Sequence, residues 1–136
     1  MSGGREEESF WFLVGLLQLH QDIEPFFAGF ERLYQTQFPL LHMFLGFFDS
    51  SFHKEFPELA KHFSNQGLPP LLWCAKWFQT LFLYSFPFTV CIRFWDCMFA
   101  HGTDSLFRIT FAILKLCEKD LLELDLEGIN DYFNDF

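Results

Sequence analysis

WFQTLFLYSFPFTVCIRFWDCMFAHGTDSLFRITFAILKL, residues 77–116, holds most of what decides the fold. Its apolar residues do not alternate with polar ones, which argues against half-buried strands. Leu106, Ile109, Ile113 and Leu116, continuing toward Leu121, recur at helical spacing and predict one apolar face on a helix over 105–124. Gly102 predicts a C-terminal cap on the preceding segment, FTVCIRFWDCMFA, and Asp104 an N-cap on the following helix. Upstream, LLWCAKWFQTLFLY (71–84) reads as a single helix ended by Pro87. Its polar stripe is only Lys76, Gln79 and Thr80, so it should be nearly enclosed.

The same period extends toward the N-terminus. Glu6, Glu7 and Glu8 favour the positive end of a helix over about 6–19, with Phe10, Leu13, Val14 and Leu17 as its apolar stripe. A second helix is expected from Pro25 through Tyr34, with a break or bend near Pro39 and a short apolar segment, LLHMFLGFF, beyond it. SSFHKEFPELAKHF is the most water-facing stretch. Pro57 should restart its helix, and Asn65 and Gly67 should stop it. Pro69 and Pro70 suit the first turn of the next helix. DLEGINDYFNDF, at the end, predicts one more short helix. Short connections imply near-antiparallel neighbours, so the expected fold is all-α, in one domain of 136 residues.

Composition narrows the class. The chain is 51% hydrophobic with 22 Phe, which excludes a disordered chain. A net charge of -9 argues against nucleic acid and anionic membranes, whose phosphates repel it. The longest stretches free of Asp, Glu, Lys and Arg, 33–48 and 77–92, are 16 residues each. A membrane span needs about 20 apolar residues, so no transmembrane segment is expected. The acidic opening MSGGREEES is unlike a secretory signal, and the four cysteines form no C-x-x-C pair. Free thiols in a reducing compartment follow. Cys91 and Cys97, among large apolar residues, should behave as small hydrophobes.

Catalytic and metal signals are thin. There is no phosphate-binding G-x-x-x-x-G-K-[ST] loop and no G-x-S-x-G elbow. Cys97 and His101 stand at i,i+4, but a buried thiol beside a helix-ending His explains them as well as a nucleophile and its base. The five histidines show no i,i+4 pairing, so neither a metal nor a cofactor is expected. Arg93 and Asp96, flanking Trp95, stand out among apolar residues. A helical i,i+3 pair contributes only about 0.2–0.5 kcal/mol, too little to offset burial of both charges. Each charge should therefore have a further partner, in a clasp between helices or at the rim of a recognition surface, where Arg and Trp are enriched.

The order of these motifs resembles a known family. WFQTLF (77–82), FPF (86–88), IRFWDCMFAHG (92–102) and SLFRITFAILKL (105–116) resemble the C-terminal half of a TBC domain. EEESFWFLVGLL is similar to that family's E-E-x-A-F-W helix, and FPELAKHF to its L-P-x-L-x-x-H helix, so the resemblance covers about residues 6–124. It implies an all-α subdomain of a Rab GTPase activator, working in membrane trafficking, cytoplasmic and reaching endomembranes through a GTP-bound Rab. The family supplies an arginine from I-x-x-D-x-x-R and a glutamine from Y-x-Q to the Rab-bound GTP. Both motifs lie upstream of the E-E-x-A-F-W helix, and neither occurs in these 136 residues. Tyr34-Gln35-Thr36-Gln37 is Y-x-x-Q. His101 stands where the family has an acid before Gly102. The resemblance thus implies no catalytic residue here. Trp77, Phe78, Arg93, Trp95 and Asp96 become a structural or partner-binding motif. The expected partners are a Rab, another TBC chain or the N-terminal half of the domain.

Overall fold

A computed structural model of the chain describes residues 5–18, 30–102 and 104–134. Among these residues every regular element is helical and no strand occurs, as the periodicity predicts. The chain divides into two compact units, Met1–His42 and Met43–Phe136.

In the first unit, α1 spans Glu6–Gln18 with its three glutamates in the first turn. The expected apolar stripe is not buried: Phe10 and Leu13 are exposed, as are Trp11 and Phe12. Leu17 lies outside the described side chains. This helix is apolar on nearly every side, so no single face is selected for burial. Of the second expected helix, 25–29 fall outside the described residues and Phe30–Leu33 forms a 3₁₀ turn. Gln37 and Phe38 both adopt left-handed backbone, and Phe38 N–H donates to Gln35 O at 2.9 Å.

Pro39 does not break a helix; it begins one. The helix α2 runs unbroken over Pro39–Glu55, joining the apolar segment to SSFHKE. Proline at a first helical position loses no hydrogen bond and has φ already set. Its ring would clash only with a preceding turn, which is absent here. Pro57 restarts the chain as α3, Pro57–Asn65. Gly67, at φ 70°, stops it: Leu68 N–H donates to Phe63 O and Gly67 N–H to Ser64 O, a Schellman closure. Pro70 opens α4, Pro70–Trp73, with α5, Ala75–Gln79, directly after it.

The expected continuous helix over 71–84 is therefore two short helices and a turn. Leu81 and Phe82 are left-handed at φ 49° and 68°, and Phe82 N–H closes on Trp77 O at 2.8 Å. Left-handed backbone costs an L-residue about 1–2 kcal/mol. The turn persists because both side chains are buried and because Trp95 Nε1 donates to Leu81 O at 3.0 Å. No Gly or Pro within 71–84 announces such a break. Tertiary burial selects it.

The two longest C-terminal elements are α6, Phe88–His101, and α7, Asp104–Glu123, which pack against one another. Gly102, at φ 83°, returns its N–H to Met98 O and closes α6 as expected. Asp104 is the first residue of α7, placing its carboxylate in the first turn, where the helix dipole favours it. The buried face of α7 is Leu106, Thr110, Ile113, Leu114, Cys117 and Leu121. Leu116, assigned to that face from the sequence, is 85% exposed. Three residues beyond Ile113 the helix has turned about 300°, and the drift carries Leu116 outward.

The last helix, α8, spans Leu126–Asn134. Asp125 caps it, its Oδ1 accepting from Gly128 N–H at 2.9 Å. Phe133 enters the core, stacked on Trp73 and edge-on to Trp77, each 5.2 Å between ring centres. Removing that ring leaves an aromatic-sized void. Phe133→Ala should cost about 3–5 kcal/mol, read from urea unfolding. Trp95→Phe keeps most of the packing but orphans Leu81 O. It should cost about 1–3 kcal/mol in the same assay, with the left-handed turn losing amide-exchange protection.

Candidate partner-binding surface

The residues singled out by the motif separate into two groups. Trp77, Phe78 and Trp95 are buried. Trp77 packs on Trp73, Phe82 and Phe86, while Phe78 meets Phe44, Phe48 and Phe107 edge-on. Trp95 joins α6 to the 81–82 turn through its indole N–H. These three side chains shape the core and offer nothing to a partner directly.

Arg93 and Asp96 lie on the other side of α6. Their side chains are 84% and 62% exposed, and Arg93 Nη1 stands 3.8 Å from Asp96 Oδ2. The inter-helix clasp expected from the sequence is thus overturned. The two form an exposed i,i+3 pair along one helix. The signal that could have shown this was in the helical period. Cys91, Trp95 and Met98, at 4-3 spacing, are the buried residues of α6 and leave Arg93 and Asp96 facing outward.

The outer side of α6 is centred on Thr89, Arg93, Asp96 and Ala100, again at helical spacing and all exposed. Val90 and Cys97 flank it on one edge, Phe88 and Phe99 on the other. Just before the helix, Leu83 and Tyr84 are exposed, and Lys76 Nζ sits 5.3 Å over the Tyr84 ring. The result is a charged centre between apolar edges, carrying the Arg and Phe types that are enriched at protein interfaces. Phe88, Val90 and Phe99 gave no signal in the sequence, where they belong to a run of apolar residues.

Cys97, expected to be buried, is exposed, because it falls on the same outward side as Arg93. Cys91 is buried as expected, its thiol donating to Phe86 O at 3.5 Å. Burial pushes the Cys91 thiol up and pushes Cys74 up further, where the Asp49 carboxylate adds to the effect. Protonated thiols are weak nucleophiles. All four cysteines are free. Among the described residues, no three His, Cys, Asp or Glu side chains converge as a metal site would require. No described helix is long and apolar enough to cross a membrane.

Residues 1–122 match the profile of the Rab-GTPase-TBC domain family. The chain is 31% identical over 132 residues to the human ecotropic viral integration site 5 protein homolog, which covers 90% of this chain. It is 31% identical over 128 residues to Rab GTPase-activating protein eat-17 of Caenorhabditis elegans, covering 94%. GTPase-activating protein GYP5 of Saccharomyces cerevisiae is 27% identical over 130 residues, covering 96%. The chain spans only 14–16% of the length of these relatives. A profile match over most of its length, with every regular element helical among the described residues, shows that this chain belongs to the Rab-GTPase-TBC domain family.

Proposed function

We propose that residues 1–136 are the C-terminal half of a TBC domain and serve a Rab GTPase activator as partner-facing scaffold. The observation that carries this is the division of the R-x-W-D motif. Trp95 locks the strained 81–82 turn, while Arg93 and Asp96 project outward from the same turns of α6. Relatives named as Rab GTPase-activating proteins support a GTP-bound Rab as the partner. On the outer face of α6, the guanidinium and the carboxylate select orientation and the Phe88 and Phe99 edges supply apolar contact.

The chain holds neither I-x-x-D-x-x-R nor Y-x-Q, so it supplies no residue to stabilise the transferred phosphoryl or orient the attacking water. It acts as a regulator of an enzyme, and activation requires fingers supplied from outside these 136 residues. A second reading is favoured by α1, whose exposed Phe10, Trp11, Phe12 and Leu13 suit a helical module that docks on another TBC chain or on an N-terminal half. Size rising with concentration in light scattering supports that reading.

Two outcomes are expected. Incubated with a panel of GTP-loaded Rabs, the chain alone leaves hydrolysis at its intrinsic rate. Acceleration lost on changing a single Arg of this chain would reveal a finger and defeat the scaffold reading. Arg93→Ala and Asp96→Ala should each change stability by about 0.5 kcal/mol or less, since an exposed pair contributes little. Both should weaken Rab association measured by calorimetry. Unchanged association would remove the outer face of α6 from the interface.

A further inference from the structure

The α2 and α3 helices meet at the Glu55–Pro57 joint, and both line a cleft together with residues 67–70. The cleft between them has a volume of about 220 Å³. Phe52, Ala60, Phe63 and Leu68 form its apolar floor, with the two phenyl rings 5.8 Å apart. Asp49, His53 and Ser64 stand at its edge.

Hydrogen-bond accounting defines what this cleft accepts. His53 Nδ1 lies 2.9 Å from the carbonyl oxygen of Asp49, a pure acceptor, and 3.4 Å from Asp49 Oδ1, so that nitrogen carries the proton and Asp49 Oδ2 remains as an acceptor. Ser64 donates its hydroxyl proton to Ala60 O at 2.8 Å, leaving its oxygen lone pairs. The Asp49 carboxylate, 48% exposed, has only acceptor capacity. The backbone adds no donor: Gly67 N–H and Leu68 N–H are spent on Ser64 O and Phe63 O, and Pro69 and Pro70 have none. The Asp49 carboxylate and the Ser64 oxygen therefore offer acceptors above an apolar floor, in a chain of net charge -9.

We propose that this cleft binds an arginine side chain presented by a partner protein. A guanidinium carries five donors and no acceptor and pairs with a carboxylate, while its stem covers the apolar floor. The volume lies below the roughly 300 Å³ at which small-molecule pockets begin, which suits one long side chain. The site is separate from the outer face of α6, so it stands or falls independently of the Rab reading.

The test is titration of the isotope-labelled chain with Nα-acetyl-arginine-N-methylamide, followed by amide shifts. Saturable shifts at Asp49, His53, Ser64 and Gly67 are expected. Asp49→Asn, with an unchanged circular dichroism spectrum, should weaken binding about tenfold, and Ser64→Ala should weaken it less. The absence of shifts, equal affinity for the norleucine or lysine counterpart, or full affinity in Asp49→Asn would each overturn the proposal.

Discussion

The packing of Trp73 governs the Met43–Phe136 unit. Its indole meets Phe48, Phe52, Phe63, Trp77 and Phe133, each between 5.2 and 5.7 Å away, and thereby ties α2, α3, α5 and α8 to one centre. Edge-to-face and offset contacts of this kind contribute about 0.5–1.5 kcal/mol each beyond the area they bury. They are also directional. Rings that must meet at fixed angles leave the helices little freedom to slide, which explains why so many short elements hold a defined arrangement.

That constraint extends to the surface. With Trp73 and Trp77 fixed, the chain must turn sharply after Gln79 to bury both Leu81 and Phe82, and the left-handed backbone follows. Trp95 then satisfies the buried carbonyl of that turn and sets the rotation of α6 about its axis. Arg93 and Asp96 face outward as a consequence. The buried residue of the motif orients the exposed ones, and core packing positions a partner face without contributing a side chain to it.

The α8 helix shows where family likeness ends and physical reasoning continues. The family profile stops at residue 122, yet Ile129 and Phe133 are buried. The stretch DLEGINDYFNDF predicts a short helix there, and the structure forms one, capped by Asp125. Tyr132 binds this helix back to α7 through Asp120, at 3.1 Å, and its hydroxyl pKa is pushed up, chiefly by a hydrogen bond to Cys117 and also by burial and by Asp120. The segment is part of the core.

The sequence by itself determined the all-α class, the stops at Gly67 and Gly102, the restart at Pro57 and the motif order that marks the family. These are local matters: helical period, the left-handed preference of glycine and the fixed φ of proline act within a few residues. Only the tertiary structure decided that Pro39 begins a helix, that 71–84 is broken and that Leu116 faces outward. Each of those depends on which side of a uniformly apolar segment finds a partner. With 22 Phe in 136 residues, hydrophobicity is too evenly spread to mark the inward side. The cleft beside Asp49 and His53 was invisible for a related reason, since it arises where two helices and a loop meet rather than from any run of residues.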